Sequence, residues 1–117
     1  MNKLLIFLLT LTWLFAGPAK AHTYWWVASY YGAYFHGRTT ANGETYNMWA
    51  DTCAHKSLRF GTRLRLTNPH TGKVAVCRIN DRGPYIAGRT LDVSKGVAQK
   101  LGMLSAGVVT LKVEVLQ

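Results

Sequence analysis

Three polar side chains in turn-forming sequence are the groups of this chain best suited to chemistry. Asp81 lies in Arg78-Ile79-Asn80-Asp81-Arg82-Gly83-Pro84-Tyr85, just after an apolar β-type run. Pro84 fixes its own φ and Gly83 can take backbone angles closed to other residues, so the turn holds one carboxylate stiffly. Glu44 ends Thr40-Ala41-Asn42-Gly43-Glu44, and His55 ends Thr52-Cys53-Ala54-His55. A rigid carboxyl can give a proton to a bridging oxygen and take one from a hydroxyl, the acid–base chemistry that cuts a sugar chain. Each group also has an ordinary reading. By spacing alone Asp81 is better read as a turn aspartate bonding nearby N–H groups, and the ordinary reading of Glu44 is an exposed residue after an Asn-Gly turn. His55 is equally a structural histidine beside a cystine.

The elements that would position these groups are mostly β. Residues 24–31 are aromatic and β-branched and read as a first strand. Residues 32–52, rich in Gly, Asn, Thr and Tyr, read as a long loop with short extended pieces. Residues 62–67 alternate, with Leu64 and Leu66 on one face, and pair through the turn at residues 68–72 with a strand over 73–80. That strand is apolar on both faces (Val74 and Val76; Ala75, Cys77 and Ile79), as expected for a strand inside a barrel or sandwich. A short strand over 90–93 leads to Ser94 as N-cap of a helix over 95–101, stopped at Gly102, with Val97, Ala98 and Leu101 inward. A last strand spans 108–116. A small closed barrel with one short helix fits better than an open sheet, because closure removes exposed edges.

Residues 1–21 read as a secretory signal peptide: a basic start at Lys3, an apolar run over 4–15, and Ala19-Lys20-Ala21 as cleavage site. No Cys lies near that site, so no membrane anchor is expected, and the mature domain, residues 22–117, is expected in the periplasm or outside the cell. It is long enough for one small domain, expected to be a monomer. Cys53 and Cys77 are the only cysteines. A disulfide between them suits an oxidising compartment, the alternative being two buried thiols. Removing Lys3 and Lys20 from the 14 basic residues leaves 12 against 5 acids, a charge of +7. Such a domain is drawn to polyanions. The basic residues are scattered and match no nucleic-acid motif, so nucleic acid is not expected as a partner. His22, His36, His55 and His70 show no paired metal-ligand spacing, so neither metal nor other cofactor is expected.

Several motifs in order then resemble a known family. Ala28-Ser29-Tyr30-Tyr31-Gly32, His36 to Glu44, Ala54-His55, Phe60-Gly61-Thr62, Thr67-Asn68, Arg78 to Pro84, Leu91-Asp92-Val93-Ser94 and Leu101-Gly102 follow the spacing of the core domain of the rare lipoprotein A family. The resemblance covers residues 27–115. It implies a mainly β, six-stranded double-psi β-barrel, shared with barwin and expansins. It also implies a lytic transglycosylase that cuts peptidoglycan glycan strands, with a preference for strands stripped of peptides. The family's catalytic acid falls on Asp81, and its functional Glu and His fall on Glu44 and His55. The chain departs from the pattern in lacking the lipid-attachment Cys and the C-terminal peptidoglycan-binding repeat. It also carries Cys53 and Cys77 in place of small apolar residues, and Arg59 in place of a common Pro.

An ordinary glycosidase needs two carboxylates, and this chain has five acids in all: Glu44, Asp51, Asp81, Asp92 and Glu114. A lytic transglycosylase needs one. It protonates the glycosidic oxygen and then deprotonates the sugar's own C6 hydroxyl, which attacks C1 and leaves a 1,6-anhydro-muramoyl end. A carboxyl donating near neutral pH must be raised by burial or by a neighbouring carboxylate, and Glu44 is a candidate neighbour. His55 is expected to bond Asp81 or the substrate. Arg82 would hold a substrate carboxylate or phosphate, or else serve the turn. Asp92, just before the Ser94 cap, reads as structural. Tyr31, Tyr34, Trp49 and Tyr85 are the candidates for stacking on sugar faces, each against a packing role. The rival function is a non-catalytic, expansin-like module that binds or loosens wall glycan without cutting it.

Overall fold

The structure, a computed structural model, describes residues 22–116. The segment read as a signal peptide lies outside them. The described chain runs β1 (Thr23–Tyr31), a 3-10 turn (Ala33–Phe35), β2 (Thr52–His55), β3 (Arg63–Thr67), β4 (Val74–Asp81), β5 (Leu91–Ser94), α1 (Lys95–Lys100) and β6 (Val108–Val115). The six strands close into a barrel in the order β1-β5-β2-β4-β3-β6. The pairs β1–β5 and β2–β4 are parallel and the other four are antiparallel. This is the expected mainly β, six-stranded barrel with one short helix.

The interior follows from strand alternation, since successive side chains point to opposite faces. Ala28, Cys53, Leu64, Leu66, Ala75, Cys77, Ile79, Leu91, Val93, Leu111 and Val113 point inward and are buried, and Val97 and Ala98 of α1, with Leu101 just after it, close over them. Ser94 caps α1: its hydroxyl accepts from the Val97 N–H. Gly102 then takes a positive φ of 67°, which a glycine adopts without strain and which ends the helix. Cys53 on β2 and Cys77 on β4 are joined in a disulfide inside this core.

The strand over 73–80, apolar on both faces, is not buried on both: Ala75, Cys77 and Ile79 are in the core, but Val74 is 53% exposed. A barrel this small has one interior, and its second face meets solvent or a loop.

Candidate active site

The front of the barrel is the row β1-β5-β2-β4, and its outer face carries the site. Cross-strand register aligns Ser29 with Asp92, Asp92 with Ala54, and Ala54 with Asp81. These residues alternate with the core residues Ala28, Val93 and Cys53, so their side chains turn outward. Two connections rise beside this row. The long loop, residues 32–51, forms one wall, and the turn at residues 82–90 forms the other. Together they enclose a cleft of about 260 Å³ lined by Tyr31, Phe35, Ala54, Asp92, Asp81 and the run from Arg82 to Ile86.

A β-bulge aims Asp81. In the β2–β4 pair, Cys53 faces Ile79 but Ala54 faces Asp81, so Asn80 is the extra residue. Released from the ladder, Asn80 serves the long loop. Its carbonyl accepts from the Asn42 N–H (3.2 Å), and its amide Nδ2 donates to Glu44 Oε1 (2.9 Å). Beyond the bulge, Asp81 Oδ1 accepts from the Ala41 N–H and from the Arg82 N–H, each at 2.9 Å. Gly83 follows with a φ of 117°, backbone that an L side chain rarely adopts, and swings the chain into the Pro84–Ile86 wall.

Glu44 is held away from Asp81 by other partners. Its carboxylate accepts a bidentate pair from Arg78 (2.9 and 3.0 Å) as well as the Asn80 amide. The Arg78 and Asn80 hydrogen bonds hold its carboxyl below the usual carboxylate range. The loop it anchors is a tight turn: Thr40 and Glu44 join by a backbone bond (2.7 Å), and Gly43 sits at a φ of 93°. Ala41, the donor to Asp81, rides on this turn. Glu44 thus orients the loop that orients Asp81.

His55 faces the other way. It ends β2 on the core side and packs against Trp26, with ring centroids 4.9 Å apart. Its Nδ1 accepts from the Ser57 and Leu58 N–H groups, both at 3.1 Å, in place of the expected bond to Asp81. Burial, then the charges of Arg82 and Lys56, lower its pKa, so the ring is neutral at neutral pH. Arg82 lines the cleft, but its guanidinium donates to the His55 and Leu58 carbonyls (3.1 and 2.6 Å) and lies 3.9 Å over the Phe60 ring. His55 and Arg82 therefore build the turn behind Asp81.

Of the aromatic candidates, Tyr31 and Tyr85 line the cleft, while Tyr34 and Trp49 are not among its lining residues. Tyr31 stacks on Tyr46 (4.5 Å) and meets Phe35 edge-on (5.9 Å). Burial raises its hydroxyl well above the ordinary tyrosine value, so it stays protonated. That buried hydroxyl finds no hydrogen-bond partner among the described residues. Tyr85 is 75% exposed at the lip. Tyr34 lies outside with Arg38 over its ring at 4.4 Å. Trp49 lies beside the start of α1 under Lys95.

Sequence reasoning passed over Phe35, Ala54, Ile86 and, above all, Asp92. Asp92 does not serve turn backbone: the Ser29 hydroxyl donates to its Oδ1, and it faces the cleft. Burial raises its pKa above the usual carboxylate value. The alternation in Leu91-Asp92-Val93 carried the signal, since two core residues flanking an acid turn that acid to the opposite face.

Residues 26–113 match the family model described as "Lytic transglycolase". The chain belongs to this family. It is 50% identical over 91 residues to a probable endolytic peptidoglycan transglycosylase RlpA of Synechocystis, covering 78% of this chain and 28% of that protein. It is 49% identical over 87 residues to an endolytic peptidoglycan transglycosylase RlpA of Neisseria meningitidis, covering 74% and 36% respectively. The chain thus spans about a third of the length of these relatives. Among solved structures, a Streptomyces papain inhibitor superposes with a TM-score of 0.67 at 17% identity over 82% of this chain and 96% of its own. A Clavibacter michiganensis expansin, solved with cellohexaose, superposes at 0.63 with 20% identity over 82% of this chain and 51% of its own. These two likenesses establish the double-psi barrel fold alone.

Proposed function

We propose that this domain is a lytic transglycosylase that cleaves peptidoglycan glycan strands, peptide-free ones by preference, and leaves 1,6-anhydro-muramoyl ends. The observation that carries the reading is Asp81: a carboxylate presented at an open, aromatic-lipped cleft by a bulge and two backbone N–H bonds. The identity to relatives named endolytic peptidoglycan transglycosylases supports it.

In this reading a strand lies along the cleft with one sugar face against Tyr85 and the scissile bond over Ala54. Asp81 serves proton transfer at the reacting atoms. The C6 hydroxyl of the muramoyl residue supplies the nucleophile, so the protein's work is positioning and proton movement. The Tyr31 hydroxyl is a neutral donor placed to bond a sugar oxygen. Glu44, His55 and Arg82 act through the backbone around Asp81. No cofactor takes part. Action outside the cytoplasm fits both the substrate and the Cys53–Cys77 disulfide.

The test is product analysis by mass spectrometry after incubation with peptide-free glycan strands, with Asp81→Asn as control. Anhydro-muramoyl ends from the wild type and none from the variant are expected. Hydrated reducing ends would mean a hydrolase. Binding without cleavage by folded wild-type protein across several pH values would leave the expansin-like module as the function.

A further inference from the structure

The cleft contains a second acid. Asp81 and Asp92 flank Ala54, one from β4 and one from β5, with β2 between them. Neighbouring strands are about 4.8 Å apart, so the two Cα atoms stand about 10 Å apart across the floor. Ala54 contributes only a methyl group to the space between, and both carboxyls line the same cavity. That arrangement leaves room between the two acids for a glycosidic linkage.

Their surroundings differ. Asp81 accepts two backbone N–H bonds on one oxygen. Asp92 is part-buried on the floor, where the Ser29 hydroxyl donates to it. The charged and titratable groups facing it are Asp81 from β4, Arg89 from the turn before β5, Tyr31 from β1 and Tyr46 from the long loop. Burial and the Asp81 charge favour its protonated form. Ser29 and Arg89 oppose them, and the net effect is a raised pKa. Two carboxyls in one site whose environments differ in this way divide acid from base.

We propose that Asp92 is the general acid of the cleft and Asp81 its general base. This rests on the transglycosylase reading and replaces the single-carboxylate route with a pair. Asp92 gives its proton to the glycosidic oxygen as the C1–O bond breaks and that oxygen keeps the bonding pair. The C6 oxygen forms the new bond to C1, and its proton passes to Asp81. The proton returns from Asp81 to Asp92 through solvent in the open cleft, which resets both groups without an external reactant.

The test compares wild type, Asp92→Asn and Ser29→Ala on peptide-free strands, measuring turnover against pH, glycan affinity and thermal melting. Asp92→Asn is expected to keep the fold and glycan binding and to lose turnover by at least about 100-fold, the range of general acid catalysis. Its residual activity should lack the alkaline limb, because an amide has no proton to lose there. Ser29→Ala removes a bond that favours the ionised form, so its alkaline limb should move to higher pH. Wild type that yields anhydro ends, with Asp92→Asn within a few-fold of it and the same profile, would overturn the proposal and leave the transglycosylase reading standing. Wild type without anhydro ends would remove both. If Asp92→Asn fails to fold, the Ser29→Ala limb decides: a limb that stays in place overturns the proposal.

Discussion

Glu44 and Asp81 are both acids on turns, yet their partners assign them different work. Glu44 is neutralised by the Arg78 fork and the Asn80 amide, and a carboxyl held ionised in this way is a poor proton donor. In the proposed reaction its effect would pass through Ala41, whose N–H reaches Asp81 Oδ1. Glu44→Gln should therefore lower turnover by about 10- to 100-fold, the scale of a small misplacement of a reacting group, while glycan affinity changes little. Stability has its own signature. The Glu44–Arg78 pair is substantially exposed, 40% and 42% for the side chains, so it contributes under about 1 kcal/mol. The folded-state pKa of Glu44 lies below its unfolded value. The contribution is therefore present above the unfolded pKa and is lost as pH falls through the folded one. Melting curves should show the variant slightly less stable at neutral pH and equal to wild type in strong acid. A gap that widens in acid, or unchanged turnover, would sink this account.

At the scale of elements, the site is a stiff sheet face with two connections fastened to it. The long loop is pinned at several points, among them Asn80 and Glu44 near Asp81, and α1. There the Gly96 N–H donates to the Met48 carbonyl at 2.8 Å, and the backbone of Trp49 comes so close that a Cβ on Gly96 would lie 2.6 Å from its oxygen. Gly96→Ala must push the loop off the helix. It should cost about 1–3 kcal/mol, as overpacking does, and weaken glycan binding through the displaced Phe35 wall. An alanine variant that melts and binds like wild type would show that the loop has slack. Five of the six strands, the Ser94 cap and the Gly102 stop were legible in the sequence, because these depend on local chemistry and alternation; β2, only four residues long at the end of the long loop, was not. Membership of the family was legible from motif order. The placing of Asn80 was not, since a bulge depends on how two strands pair. His55 illustrates the same limit: its type suggested proton chemistry, but its strand parity turns it to the core side against Trp26. Asp92 was legible in principle from parity and was passed over because the nearby helix cap offered a simpler role.

The molecule as a whole has a thin core for the precision its site needs. A domain of about 95 residues is near the size at which burial alone gives marginal stability. The Cys53–Cys77 bridge links β2 and β4, the strands that carry Ala54 and Asp81, across a sequence separation of 24. Closing such a loop removes about 3 kcal/mol of freedom from the unfolded chain. Cys53 and Cys77 point into the barrel, whereas Ala54, Asp81 and Asp92 line the cleft on its outer face. The bridge should thus govern survival and leave the chemistry alone. Replacing both cysteines with alanine is expected to lower Tm by about 12–24 °C, at roughly 4–8 °C per kcal/mol for a domain of this size. Turnover at 25 °C should be little changed in the fraction that remains folded. Reduction of the wild-type protein should lower its melting temperature in the same direction. A variant that melts like wild type would mean the core alone fixes β2 against β4. One that stays folded at 25 °C but loses turnover would mean that the bridge also sets the spacing of the two acids, because β2 is the strand between them.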